Sequence, residues 1–291
     1  MPLCETINYG KAMNNLHDKP IIGIDRGASF TDFGVVASGR LIDALSLEKR
    51  DWDSIFPVYE RLTGKYQSDH LVFTGSVSGM PADLEKRIRV IPEIDAVGFG
   101  GSTLAGCNEC IVVSFGTGTA IVHFADNHAR HVGGTGVGGG TIKGLSYLMC
   151  GIEDPAVIES LALKGNAAQV NLTISDLGYK RISFLDSDVT ASNFASVQSE
   201  QIEDLAAGIL TLVAETAGII SSICARESGC GDKIVMVGKV AKNKFIRHTL
   251  KGVGKLYHTT FIFPDKPGFA TVFGAAMKYR YDLLNPGKKS G

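Results

Sequence analysis

The chain has 291 residues, of which 44% are hydrophobic and 20% charged, with 29 basic residues against 30 acidic ones and a formal net charge of −1. Such a length and balance suit one large or two medium globular domains with a sizeable core. They exclude a global field that would gather nucleic acid or an anionic membrane. No apolar run reaches the length of a bilayer span. The opening residues lack the apolar core of a signal peptide, so 1–19 read as an N-terminal extension.

Beyond that extension, "PIIGID" is a short apolar strand ending in an acid, "RGAS" a turn, "FTDFGVVA" a second strand, "SGR" a tight turn and "LIDALSL" a third strand. "SIFPVYERLTGKY" reads as a helix and "HLVFTGSVSG" as a strand with a glycine turn. "IPEIDAVGFGG" reads as strand or turn just ahead of a helix start. The plan then repeats about ninety residues on, with "CIVVSF", the turn "GTGT", "AIVHFA", the turn "DNHA" and "RHVGG". Two related α/β domains, each with a mixed sheet, are expected.

The third strand of the repeat enters "HVGGTGVGGGTIKG", His131 to Gly144, with seven glycines in fourteen residues. Glycine loses more backbone entropy on folding than any other residue, so the cluster needs a reason. It runs into a helix with Ile142, Leu145, Leu148 and Met149 on one face. A glycine-rich loop that opens a helix can receive phosphate on free N–H groups and the positive end of the helix dipole. A second helix is expected over "EDPAVIESLALKGN", then a long one from Glu200 to about Arg226, stopped by Gly229 and Gly231. The long helix is apolar almost all round, so it should be buried between domains or against another subunit. "KIVMVGKVAKN" is a strand, a glycine turn and a helix start, and "FPDKPGFATVFGAAMKYRYDLL" closes the chain with a small-residue helix.

Cys4, Cys107, Cys110, Cys150, Cys224 and Cys230 are scattered and do not form a disulfide framework. A cytoplasmic location follows. Cys107 and Cys110 form a lone C-x-x-C without the second ligand pair of a structural zinc site, and they read as thiols without function.

Chemistry concentrates in the turns. Asp25 ends the first strand, with Gly27 and Ser29 in the turn after it, and Gly116, Thr117, Gly118 and Thr119 occupy the equivalent turn of the repeat. Such turns offer N–H and hydroxyl donors to phosphate, and an acid at the strand end can hold the hydrated magnesium that travels with ATP. With Gly138–Gly140 and the turn at Gly238, four glycine turns can line one interdomain cleft. Glu93 and Asp95 have two readings of equal standing: a base that takes a proton from a substrate hydroxyl, or acids favoured by a helix dipole.

The ordered series "GIDRGAS", "FTGSVSG", "PEIDAVGFGG", "VSFGTGT", "RHVGGTGVGGGTIKGL", "SDVTASNFASV", "IVMVGK" and "FATVFGAA" resembles the type II pantothenate kinases. These belong to the superfamily of acetate kinases, sugar kinases, Hsp70 and actin. The resemblance spans Pro20 to Tyr279, and the glycine loop and "DVTASNF" are its most specific pieces. It implies two ribonuclease H-like domains, 20–109 and 110–291, around a nucleotide cleft. It implies a homodimer that phosphorylates the hydroxyl of pantothenate, or of a closely related small molecule, with MgATP, as the first step of coenzyme A synthesis. Glu93 matches the catalytic carboxylate. ATP contacts are implied for Asp25, Arg26, Gly27, Ala28, Ser29 and Asp32, and for Gly116, Thr117 and Gly118. They are implied also for Gly139, Gly140, Thr141 and Lys143, with Gly238 and Lys239 near the adenosine. Arg130, His131, Thr135 and Asn193 correspond to substrate-binding positions, and Asp25 to a magnesium contact through water.

Three positions depart from the pattern. Ala28 stands for a glycine, Asp32 for a lysine that faces phosphate, and His131 for an arginine that helps hold the substrate carboxylate. An acid for a cation beside a polyanion is a change of sign, and an imidazole is a poorer carboxylate clamp than a guanidinium fork. Two other readings share the fold: a nucleotide-binding paralogue without phosphoryl transfer, and a superfamily ATPase that drives electron transfer through a cysteine-ligated cluster between subunits.

Overall fold

The structure, a computed structural model, describes residues 19–48 and 51–286, so the extension expected over 1–19 lies outside the described residues apart from Lys19. Three strands form where β-branched and aromatic residues alternate with turns: β1 (Ile21–Arg26), β2 (Thr31–Ala37) and β3 (Arg40–Leu47). The β2–β3 turn is made by Ser38 and Gly39, both at positive φ, as the twist of a two-residue hairpin requires. Helix α1 (Trp52–Tyr66) starts where the Asp51 side chain accepts from the Ser54 N–H, and it buries Ile55, Tyr59 and Leu62. It crosses over to β4 (His70–Gly75), parallel to β1. The short α2 (Ala82–Glu85), β5 (Arg89–Val90) and α3 (Glu93–Ala105) follow. The first sheet has the order β3-β2-β1-β4-β5.

The second half repeats the plan. β6 (Cys110–Phe115), β7 (Thr119–Ala125) and β8 (His128–Thr135) form an antiparallel meander. After α4 (Gly139–Cys150) and α5 (Pro155–Ala162) come four short strands in two pairs, β9 (Leu172–Thr173), β10 (Arg181–Ile182), β11 (Leu185–Asp186) and β12 (Thr190–Ser192). Then α6 (Ile202–Ser228), β13 (Lys233–Val237), α7 (Lys244–Tyr257), β14 (Thr260–Ile262) and α8 (Ala270–Leu284) complete the chain. The second sheet runs β14-β13-β6-β7-β8, with β6, β13 and β14 parallel. Both sheets therefore carry an antiparallel meander on one side and parallel strands on the other, the repeat expected from the sequence.

Helix α6 differs from its expectation in one respect. It is long and apolar enough to cross a membrane by length and composition, although no run of that length was expected. Ala206, Ile209, Leu210, Val213, Ala214 and Ala217 are all fully buried. The helix packs against β6, β7, β8 and β13 and against α4, α5 and α7. Most of its apolar surface is thus covered within its own chain, while Ile202 and Ile223 remain exposed.

A second difference concerns "IPEIDAVGFGG". Glu93 is the first residue of a helix rather than part of a strand or turn, and Glu93 and Asp95 both lie in its first turn. The glycines there serve close packing. A Cβ at Gly98 would come 2.7 Å from that of Ala129, and one at Gly101 would overlap Val112. Helix α3 lies on the second sheet and α8 on the first: Val97 and Phe99 pack with Val112 and Val122, while Phe273, Ala275 and Ala276 pack with Ile21, Val36 and Val72. The two helices cross at Gly100 and Gly274, where side chains would strike the opposite backbone. This crossing ties the halves together and sets the position of Glu93.

Candidate functional site

Each hairpin turn after the first strand of a sheet closes on itself. The Gly27 N–H donates to the Phe30 carbonyl at 2.9 Å, and the Gly116 N–H to the Gly118 carbonyl at 3.0 Å. The two turns meet: Ser29 Oγ lies 2.9 Å from Thr117 Oγ1. The first and second loops expected to hold phosphate thus face one another across the seam between the sheets.

Behind them, Ser46, Asp32, Asp25 and Thr74 stand side by side across β3, β2, β1 and β4. Directly opposite residues share a face of the sheet, and like charges there repel. The Asp25 carboxyl is pushed up to about 8, first by burial, then by the charges of Asp32 and Glu93, with Lys239 opposing them. Glu93 therefore acts on this row from the start of α3. Asp95 does not: burial raises its carboxyl, and the charges that reach it are Lys278, His128 and Asp282. Of the two acids, only Glu93 reaches the row.

Lys239 enters the row from the other half. Its Nζ donates to Asp32 Oδ1 at 2.9 Å and to Ser46 Oγ at 2.6 Å, and it stands 3.4 Å from the centroid of the Phe30 ring. Burial pulls the lysine down, and the bond to Asp32 pulls it back up. Gly238 makes this placement possible. It sits at φ 93°, and a Cβ there would overlap the Phe115 carbonyl oxygen. The acid at position 32 thus has its cation, supplied by a residue 207 positions away.

The glycine loop has another use for its N–H groups than the one expected. The Gly139 N–H donates to the Gly116 carbonyl and the Gly140 N–H to the Thr117 carbonyl, both at 2.8 Å. The Gly138 N–H donates to Thr141 Oγ1 at 3.2 Å, and Thr119 Oγ1 donates to the Val137 carbonyl at 2.7 Å. Three donors of the α4 N-terminus are therefore engaged within the protein. A Cβ at Gly138 would come 2.7 Å from the Thr117 carbonyl oxygen and 2.8 Å from Gly118 Cα. The missing side chains let the loop lie directly on the β6–β7 turn and fix its shape.

The remaining candidates lie outside this row. Arg26 Nη1 donates to the carbonyls of Ser76 and Ser78, and the guanidinium stacks over Trp52, so it braces the loop after β4. Ala28 is exposed on the first turn. Lys143 pairs with Glu153 at 2.9 Å on the surface, and Thr135 Oγ1 accepts from the Val137 N–H. Arg130 and His131 are exposed on the edge strand β8. Asn193 donates to Glu215 at 3.4 Å, with Thr190 donating to the same carboxyl at 3.0 Å. Burial raises the Glu215 carboxyl, and these two bonds oppose the rise. Glu215, Phe30 and Ser46 were not singled out in the sequence. Nothing local marks them, because their partners come from distant strands.

Magnesium fits the row at Asp25. The neighbouring Thr74 hydroxyl is buried and has no hydrogen-bond partner among the described residues, and like charge surrounds the Asp25 carboxyl. A hydrated divalent cation satisfies both conditions. Cys110 is buried with its thiol pushed up to about 12 by that burial, so it is a poor thiolate ligand. Among the described residues no cluster of three or more His, Cys, Asp or Glu side chains could hold a metal by itself.

The chain matches the family model Fumble over residues 106–278. It is 26% identical over 271 residues to a type II pantothenate kinase of Bacillus cereus (strain AH820), covering 88% of this chain and 96% of that one. It is also 26% identical to a type II pantothenate kinase of Oceanobacillus iheyensis, covering 88% and 98%. Among solved structures, the activator of the 2-hydroxyisocaproyl-CoA dehydratase from Clostridium difficile, with bound ADPNP, matches with a TM-score of 0.62 at 18% identity, over 94% of this chain and 99% of that one. A ROK family glucokinase from Streptomyces griseus, in complex with glucose and AMPPNP, matches with a TM-score of 0.51 at 17% identity, over 89% and 98%. These two likenesses show the fold, two related α/β units of the actin, Hsp70 and sugar kinase type.

Proposed function

The chain belongs to the Fumble family of type II pantothenate kinases, and from that premise we propose that it transfers the γ-phosphoryl group of ATP to the hydroxyl of pantothenate or a close relative. The division into domains 20–109 and 110–291, with α3 and α8 exchanged between them, belongs to this reading, as does a cytoplasmic location. The observation that carries it is the meeting of the two turns at Ser29 and Thr117 over a row that joins Asp25, Asp32 and Lys239 and feels the charge of Glu93.

Glu93 accepts the proton of the acceptor hydroxyl as the oxygen attacks phosphorus. The two turns and Lys239 bind and orient the phosphates, and Asp25 with Thr74 would hold the magnesium. When bound, magnesium neutralises charge on the phosphate oxygens. Arg130 and His131 on β8, with Thr135 and Asn193, are assigned to the acceptor. The homodimer finds support in exposed apolar side chains on α4 and just after α5, including Leu148 at 77% and Leu163 at 54% exposure. Leu148→Glu should shift a dimer to monomer in light scattering at micromolar protein.

The activity is tested by Glu93→Gln with MgATP and pantothenate. Glutamine keeps the size but accepts no proton, so turnover should fall about 10² to 10⁴-fold. Nucleotide affinity should hold, since the phosphate contacts lie elsewhere. Unchanged turnover removes Glu93 from the mechanism. A wild-type protein that binds MgATP but phosphorylates none of pantothenate, pantetheine and a sugar panel overturns the assigned reaction.

A further inference from the structure

Lys239 is held by three groups of the first sheet at once: the Asp32 carboxylate, the Ser46 hydroxyl and the face of Phe30. Asp32 and Ser46 are register partners on β2 and β3, and Phe30 ends the turn that Ser29 belongs to. The lysine itself follows β13 of the second sheet. The pair is well shielded, with Asp32 at 10% and Lys239 at 29% side-chain exposure. It lies in the same seam as the Ser29–Thr117 contact. A partly desolvated pair of this kind is no guarantee of stability, because the cost of stripping water from both charges can match their attraction.

Two carboxyl groups and one ammonium meet here, for Asp25 lies directly opposite Asp32. A nucleotide that reaches the two turns brings several further negative charges. Its phosphates compete with Asp32 for the Lys239 ammonium.

We propose that Asp32 is a positioning residue, which keeps the Lys239 ammonium at the seam in the empty protein and releases it to the nucleotide's phosphates. The assignment rests on the reading of this cleft as a nucleotide site. Phe30 and Ser46 complete the holding position: the ring faces the cation and the hydroxyl accepts from it, and neither adds a charge that phosphate must displace. Asp32 supplies the only full charge among the three holders. It therefore sets how strongly polyphosphate is needed to draw the lysine away. Asp32 lowers affinity for nucleotide and raises discrimination in favour of species with enough charge to compete. The same carboxylate retakes the lysine when product leaves, which favours release.

The test is calorimetric titration of MgATP and of adenosine, without any acceptor, into the wild-type protein and the variants Asp32→Asn and Lys239→Met. Thermal melting checks that each variant is folded. Lys239→Met should weaken MgATP about tenfold or more and weaken adenosine much less, as expected for loss of one charge-assisted bond. Asp32→Asn should tighten MgATP by about tenfold, again with adenosine affected much less, because the competing charge is gone. In turnover the same variant should lower KM for ATP and lower kcat through slower product release. Damage to a merely structural pair weakens binding, so tightening is the diagnostic sign. Weaker or unchanged MgATP binding by Asp32→Asn overturns the proposal, as does an unchanged Lys239→Met. A wild-type protein that binds no MgATP overturns the nucleotide reading itself, a separate outcome.

Discussion

Gly274 lies where α8 crosses α3, and Gly274→Ala tests whether that crossing sets the site. The added Cβ would overlap the Ala96 carbonyl oxygen and lie 2.7 Å from Gly100 Cα, where ordinary contact begins near 3.4 Å. Backbone stands on the other side, so no flexible side chain can yield. The helices must part by about 1 Å, at a cost on the order of 3 kcal/mol for overpacking a filled contact. For a chain of this size that lowers Tm by about 6 °C. Turnover should suffer as well. Glu93 begins the displaced helix, and a misplacement of about 1 Å can cost about 10²-fold in rate. Gly252→Ala is the control. It lies exposed within α7 with nothing within 4 Å of the new Cβ, and it should raise stability by up to about 1 kcal/mol, as alanine does in an open helix. Melting curves and initial rates on the three proteins decide the matter. A Gly274→Ala protein that melts within about a degree of wild type, or a Gly252→Ala protein equally damaged, refutes the reasoning.

Gly238→Ala should be destabilising by more than the about 1–2 kcal/mol of a left-handed alanine, since the Cβ also overlaps the Phe115 carbonyl oxygen. By moving Lys239 it should weaken MgATP in calorimetry, and full affinity in a folded Gly238→Ala sample would count against the lysine's role. Glu215 gives a pH prediction. Its folded carboxyl is raised, chiefly by burial, so its contribution is present below the unfolded value and is lost as pH rises through the folded one. Glu215→Gln should therefore gain melting temperature relative to wild type as pH rises from about 4 to neutrality. A difference that stays flat across that range would refute the sign.

The two-sheet plan was legible because each unit is a local pattern, three strands with short turns, and the pattern occurs twice. That the "RGAS" and "GTGT" turns line one cleft follows from the repeat; that they touch at Ser29 and Thr117 does not. Helix α3 was less legible, since Gly98, Gly100 and Gly101 carry the composition of a turn. Their reason lies in distant neighbours, Ala129, Ala270 and Val112, which no local window contains. The same limit explains α6. Its composition reported that something covers it, but not that its own sheet and three helices cover most of it.

Charge was legible at each position and illegible between positions. The sequence displays Asp32 as an acid where the pattern it resembles implies a cation, and taken alone that reads as a lost phosphate contact. Arg26, the nearest cation along the chain, turns to Ser76, Ser78 and Trp52 instead. Lys239, nowhere near in sequence, stands 2.9 Å from the acid. What matters to a polyanion is the sum of charge at the seam and how tightly each part is held there, not the sign of one residue. Asp32 and Lys239 together carry no net charge at the seam, so the acid changes both that sum and what holds the lysine. A substitution that reads as a defect in one strand is, across the seam, half of an ion pair, and its consequence for nucleotide binding depends on both halves.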